Sequence, residues 1–270
     1  MKASLRNNVP VIALAVAIVV VAVGGYLVVR ERTHGSGIAQ TSASLLHPSS
    51  PSPGSTPHAS PSPVERWMVG KATRTVVAYT KPSTTAKAKI RLPKINAHDF
   101  PTLVLVHDVK DIDGVHWYDV WLPMPPNGSR GWVKEGSLAF YPTRFKIEVD
   151  LSERKLTVWG AGQVKGTFPV GVGGHVDGMY LPTPTGFFYV VQKLRAPYPG
   201  GPYGPVALGT SAYQPKLSSW PEGGVVGIHG TNEDYSIGKA ITHGCIRLHN
   251  KDIVKVSDMV PAGSPVIIHN

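Results

Sequence analysis

Residues 229–247 read HGTNEDYSIGKAITHGCIR, and they hold the one cysteine of a 270-residue chain. His243 stands two positions before Cys245, His229 sixteen before it, and Arg247 two after it. Sulfur attacks as the thiolate, and a thiol gives up its proton near neutral pH only beside a base or a positive charge. This segment supplies two imidazoles and a guanidinium. Gly230, Gly238 and Gly244 free the backbone to turn, and at Gly244 to present amides beside the sulfur. A single cysteine forms no internal disulfide, so in an exported chain it is an intermolecular link or a working thiol. The bland alternative is an inert core cysteine, and the surrounding H-G-C-I-R argues against it.

A Cys/His pair supports acyl transfer: the sulfur attacks a carbonyl, a thioester forms, and a second nucleophile takes the acyl group. The amides of Gly244 and Cys245 can form part of an oxyanion hole. On an extended strand Arg247 shares the face of Cys245 and can bind a substrate carboxylate. Zinc is the rival use of His229, His243 and Cys245, but H-x-C lacks the C-x₂₋₄-C spacing of zinc sites and no HExxH arrangement occurs. No metal and no cofactor are expected. Spacing alone leaves both histidines open as the base and favours the nearer, His243.

Working outward, the pattern from Arg144 is β. FKIEVDLSERKLTVWG alternates Phe145, Ile147 and Val149 before a turn at Ser152–Arg154, which predicts a hairpin. The glycines of GTFPVGVGG do not make a phosphate loop, because position 176 is valine and no helix pattern follows. LPTPTGFFYVV enters a strand. Arg195–Gly209 reads as a Gly/Pro/Tyr loop, a candidate lid or substrate wall, with an irregular stretch on to Gly224. Asn250 is the expected N-cap of a helix from Lys251 to about Val260 that buries Ile253, Val256 and Val260 and leaves Asp252 and Asp258 solvated. Pro265–His269 is a closing strand.

Upstream, residues 66–141 read as short strands separated by turn signals at KPSTTAK, DIDG and MPPNGSRG. Aromatic side chains in so small a β domain, here Trp117, Tyr118, Trp121 and Trp132, are core more often than ligand contacts. Residues 9–29, VPVIALAVAIVVVAVGGYLVV, carry no charge and match the ~20 residues a helix needs to cross a bilayer. They predict an uncleaved anchor behind a short cytoplasmic stub, together residues 1–32. Residues 33–63, which include HPSSPSPGSTPHASPSP, cannot bury a core and read as a disordered, semi-stiff spacer. The 29 Gly and 25 Pro make up a fifth of the chain, which suits turn-rich β structure beside such a spacer. The net charge of +10 is spread along the sequence with no Lys/Arg block, so no nucleic-acid partner is expected.

Two resemblances follow from these residues. W-Y-x-V-x-L within His116–Leu122, followed by G-W-V at Gly131–Val133, resembles bacterial SH3-like domains, small β barrels; this places such a domain at 64–143. The run I-H-G-T-N-x-x-x-S-I-G-x-x-x-T-H-G-C-I-R-L, Ile228–Leu248, closely resembles the signature of the L,D-transpeptidase (YkuD-type) catalytic domain, as do PVGVG (Pro169–Gly173) and TPTGFF (Thr183–Phe188). The similarity covers about 144–270. It implies a mostly β catalytic domain with a short C-terminal helix, acting outside the membrane on peptidoglycan stem peptides. Cys245 then attacks the third stem residue and expels the terminal D-alanine, and an amine from a neighbouring stem resolves the thioester as a 3→3 cross-link. The resemblance moves the base to His229, oriented by the carbonyl of Gly230, and leaves His243 as a supporting neighbour. Arg247 is left with substrate positioning. A carboxypeptidase, in which water replaces the amine, is an alternative. A sortase-like cysteine transpeptidase is another, but its T-L-x-T pattern before the cysteine is absent.

Overall fold

The computed structural model describes residues 65–270; the expected anchor at 9–29 and spacer at 33–63 lie outside the described residues. No helix among the described residues is long and apolar enough to cross a membrane. These residues fall within one compact unit, built from two large sheets and two short two-stranded ones, Val172–Gly173 with Ala240–Thr242 and His175–Val176 with Met179–Tyr180.

The first sheet comprises β1 (Trp67–Ala72), β2 (Val76–Tyr79), β3 (Ala88–Leu92), β4 (Leu103–Ile112), β5 (Val115–Trp121), β6 (Arg130–Lys134) and β7 (Leu138–Thr143). It is antiparallel, in the order β3-β2-β6-β5-β4-β1-β7. The β4–β5 hairpin turns at Asp113 and Gly114, both with positive φ. This is the mirror-image turn that Asp-Gly favours because it matches strand twist. Val76, Ala78, Val104, Val120, Leu122 and Val133 fill the core of this sheet.

The chain crosses to the second sheet at Arg144. It continues as β8 (Phe145–Asp150), β9 (Lys155–Gly160), β10 (Gln163–Pro169), β11 (Val172–Gly173), β12 (His175–Val176), β13 (Met179–Tyr180), β14 (Gly186–Arg195), β15 (Val206–Tyr213), β16 (Val225–His229), β17 (Ala240–Thr242), β18 (Ile246–Arg247), α1 (Asn250–Met259) and β19 (Pro265–His269). Eight of these strands form the main sheet, ordered β10-β9-β8-β19-β14-β15-β16-β18. The β8–β9 hairpin forms where the alternation places it. Ile147 faces Val158 and Val149 faces Leu156, all fully buried, and each such side chain contributes about 1.5–3 kcal/mol. Asp150 closes the turn: its Oδ1 accepts from the Glu153 amide at 2.8 Å and from the Ser152 hydroxyl at 2.7 Å. A carboxylate that bonds the backbone just ahead of it is a common turn device. Helix α1 lays Ile253 and Val256 on this core. The half-buried Lys193 donates to the Ser257 and Val260 carbonyls at its C-terminal end, where a cation suits the helix dipole.

Three expectations need correction. The stretch taken as loop and irregular chain up to Gly224 contains β15, a central strand. Its residues, VALGTSAY, pair with β14 and β16 on both edges, so tertiary pairing overrides the surrounding Gly and Pro. Asn250 is not the N-cap: His249 holds that position without a capping side-chain bond, and Asn250 Oδ1 instead accepts from the Thr231 amide at 2.9 Å. Asp252 is buried rather than solvated, with Lys255 Nζ at 3.3 Å.

The sheets meet through a shared core of Val69, Leu103 and Leu105 from the first and Tyr189 from the second, with Trp121 packed on Phe187 at a 5.0 Å ring separation. Tyr189 is fully buried; its hydroxyl donates to Leu103 O at 3.0 Å, and burial holds its pKa well above the ordinary value. Polar ties reinforce the contact: Tyr141 Oη to Ala262 O at 3.0 Å, Asn96 Nδ2 to Gln192 Oε1 at 2.6 Å, and Asn127 to both backbone groups of Tyr213.

Candidate active site

The parallel pair β16–β18 sets Ile228 opposite Ile246 and His229 opposite Arg247, which brings Gly227 beside Cys245. The Gly227 amide donates to Cys245 Sγ at 3.4 Å. A Cβ built on Gly227 would lie 3.5 Å from His229 Cδ2, so the glycine that bonds the sulfur also lies beside the imidazole. Sequence separation gave no hint of this glycine; the strand register supplies it.

His229 is 3% exposed, and its Nδ1 lies 2.5 Å from Gly230 O. A carbonyl only accepts, so Nδ1 carries the proton and Nε2 keeps its lone pair. Burial pulls the His229 pKa down to about 4; the Gly230 bond works against this, and the Arg247 charge adds to it. The histidine is therefore a neutral base at neutral pH. Cys245 is half-buried, and desolvation raises its pKa, while the Gly227 amide and Arg247 lower it.

Gly230 is wedged in place. Its N–H reaches Val206 O at 3.3 Å, and Gly204, at φ +62°, approaches so closely that a Cβ there would lie 2.6 Å from Gly230 Cα. Only glycine tolerates that combination. Tyr203 then covers His229 edge-on, with ring centroids 5.0 Å apart. The segment expected to form a lid or wall thus ends by fixing the carbonyl that orients His229.

Gly244 has φ +117°, a conformation that needs glycine, and the backbone on both sides of it is tied. Thr183 Oγ1 accepts from the Gly173 amide at 2.8 Å and donates to Gly244 O at 2.9 Å. Thr242 Oγ1 donates to Cys245 O at 2.6 Å and accepts from the Gly244 amide at 3.2 Å. Of the two amides expected at an oxyanion hole, that of Gly244 has a partner, and that of Cys245 has none among the described hydrogen bonds. Gln214 backs this loop: it is 3% exposed, its side chain lies 3.4–3.6 Å from a Cβ built on Gly244, and Nε2 donates to Pro182 O at 2.6 Å.

His243 stands at the rim. Its Nε2 is 2.9 Å from Asp177 Oδ2, and Trp220 lies against it with centroids 4.9 Å apart. Arg247 is already engaged: its Nη1 donates to the Glu233 carboxylate, and its Nε is buried without a partner. Among the described residues no group of three His, Cys, Asp or Glu could hold a metal ion. The sequence reading missed Gly227, Asp177, Gln214, Glu233 and the role of Thr183. Only Thr183 carried a signal, as part of the TPTGFF run.

The family model of the L,D-transpeptidase catalytic domain matches residues 144–268. The chain is 39% identical over 129 residues to the putative L,D-transpeptidase YkuD of Bacillus subtilis (strain 168), across 48% of this chain and 68% of that protein. It is 32% identical over 129 residues to the putative L,D-transpeptidase YqjB of the same organism, across 45% and 69%. The crystal structure of L,D-transpeptidase 3 from Mycobacterium tuberculosis aligns with a TM-score of 0.41 and 16% identity, over 63% of this chain and 92% of that one.

Proposed function

The chain belongs to the L,D-transpeptidase family, and from that premise we propose that it cross-links peptidoglycan stem peptides 3→3 through a thioester on Cys245. The observation that carries this reading is the His229–Gly227–Cys245 arrangement. It is a neutral imidazole with its tautomer fixed by Gly230 O, sharing one glycine with the only thiol. When the third-residue carbonyl of a donor tetrapeptide approaches, His229 Nε2 takes the thiol proton as Sγ bonds to carbon. The oxyanion faces the Cys245 amide; the Gly244 amide joins it on leaving Thr242. The intermediate collapses, His229 returns the proton to the leaving nitrogen, and D-alanine departs. A side-chain amine of a second stem then attacks the thioester and regenerates the thiol.

His243 supports the loop that presents Cys245, anchored by Asp177. Arg247, engaged by Glu233, acts as a fixed positive charge behind the thiol, so a substrate carboxylate would have to displace Glu233 to reach it. Residues 9–29 anchor the chain as a single-pass membrane helix, 33–63 space it from the bilayer, and 64–143 form an SH3-like module. The catalytic part at 144–270 faces the cell wall. The unbroken apolar run and the Ser/Pro tract after it support that layout.

The test is to incubate the full chain with a disaccharide-tetrapeptide and follow products by mass. Loss of D-alanine with a cross-linked dimer is expected. Loss of D-alanine without dimer would mean a carboxypeptidase, and no change in the substrate would overturn the proposal. A Cys245→Ala chain that kept full activity would overturn the choice of nucleophile.

A further inference from the structure

The loop between β5 and β6 reaches out of the first sheet and grips the second at one residue. Asn127 Nδ2 donates to Tyr213 O at 2.8 Å, and Tyr213 N donates to Asn127 Oδ1 at 2.9 Å. The side-chain amide thus does for Tyr213 what a neighbouring strand would do. Tyr213 answers with its own hydroxyl, which donates to Pro123 O at 2.8 Å. The loop is itself braced, with Ser129 Oγ to Pro126 O at 2.7 Å and Leu122 N to Ser129 O at 2.9 Å. The grip falls where β15 ends and its register with β16 shifts.

The next residue is Gln214. Its amide donates to Gly224 O at 2.8 Å, its Oε1 accepts from Lys216 N at 3.2 Å, and its Nε2 holds Pro182 O at 2.6 Å. Pro182 precedes Thr183, which fixes Gly244 O at 2.9 Å, and the Gln214 side chain packs directly on Gly244. From Asn127 to the Gly244–Cys245 peptide the links are therefore short and continuous: Tyr213, Gln214, then Pro182–Thr183 or Gly244 itself. Cys245 and its base are also held from another side, by the Gly227 amide on Sγ and by the β16–β18 pairing.

We propose that Asn127 is a positioning residue for acyl transfer, holding Tyr213–Gln214 so that the Gly244–Cys245 peptide keeps its amide aimed at the developing oxyanion. The first sheet then completes the active site of the second. The idea rests on the reading of Cys245 as the acyl acceptor. It separates two reactions of the same thiol. Acylation passes through an oxyanion and needs that peptide in place; alkylation displaces a halide from a saturated carbon and forms no oxyanion.

The test compares the full-length chain with Asn127→Ala, Asn127→Asp and Tyr141→Phe. Asn127→Asp keeps the acceptor but sets a carboxylate against Tyr213 O. Tyr141→Phe removes a different tie between the sheets, to Ala262 O. The readouts are the p-nitrophenol burst from p-nitrophenyl acetate, the rate of Cys245 alkylation by iodoacetamide, and Tm. In the burst, Sγ bonds to the acetyl carbon, His229 takes the thiol proton and p-nitrophenolate leaves. Both Asn127 variants should slow the burst about tenfold, less than the roughly 10²-fold or more expected for losing an oxyanion donor outright. Alkylation should stay within about twofold, since the thiol and base are untouched. Tyr141→Phe should lower Tm at least as much and leave the burst unchanged. An Asn127→Ala burst equal to that of the parent would overturn the inference while leaving the nucleophile intact. Equal slowing of burst and alkylation, or the same slowing in Tyr141→Phe, would reduce Asn127 to a general stabiliser. A parent chain with no burst would remove the acyl-acceptor reading and this inference with it.

Discussion

The two histidines of the reactive segment lie in opposite surroundings. His229 ends a central strand, is 3% exposed, and is oriented by the carbonyl of its own neighbour, Gly230. His243 sits on the loop before Cys245, its side chain 27% exposed, with its orientation set by Asp177 from the β12–β13 turn and by Trp220. Burial keeps His229 neutral, and the Gly230 carbonyl holds its proton on Nδ1, so Nε2 keeps a lone pair for the thiol proton. The ring of His243, nearer in sequence, spends its Nε2 on Asp177 at the rim, and the distant histidine is the one placed for proton transfer.

The largest expected effect that would break this contrast is kinetic. His229→Ala should lower the rate of Cys245 acylation by about 10³-fold, within the span of general-base contributions, while His243→Ala should cost about tenfold or less. Single-turnover acylation followed by intact mass checks both, and reversed magnitudes would return the base to His243. The next effect is on stability. His229 titrates near pH 4 when folded and near 6.5 when unfolded. Between those values the unfolded chain binds the extra proton, so stability is complete above about pH 6.5 and falls by up to about 3 kcal/mol as pH drops through 4. Urea unfolding at pH 7 and at pH 4 should show this loss, and His229→Gln should remove that part of it. A third effect concerns the thiol, whose burial raises its pKa above the ordinary 9.0. Iodoacetamide alkylation should therefore keep accelerating beyond pH 9; a plateau near neutrality would mean a resting thiolate. The smallest effect is expected at the rim. Asp177→Asn leaves the nucleophile and base in place and should slow turnover by only about two- to fivefold, as loss of one partly exposed pair would. Steady-state rates would check this.

Much of this contrast was legible in the residues. Alternation at Phe145, Ile147 and Val149 placed the β8–β9 hairpin, and the apolar spacing of Ile253, Val256 and Val260 placed α1. The Ile228–Leu248 signature brought His229 and Cys245 together before any fold was known. What stayed hidden depends on contacts distant in sequence. β15 is masked by the Gly, Pro and Tyr residues before it, because its stability comes from two flanking strands. Gly227 gains its meaning only from the β16–β18 register. Asp177 and Gln214 reach the site across 66 and 30 residues, to His243 and Gly244 respectively, with no local pattern to mark them. Asn250 carried a local rule, the N-cap, that lost to a tertiary hydrogen bond with Thr231. Arg247 looked free to meet substrate because Glu233, fourteen residues away, gave no sign of claiming it.

The division of labour between the histidines is tested most directly by long-range ¹H–¹⁵N correlation of the imidazole nitrogens across a pH titration. His229 should remain a neutral ring with its proton on Nδ1 from pH 8 down to about 5, and become doubly protonated only near pH 4. A His229 that carries its proton on Nε2, or that titrates near 6.5, would contradict the account.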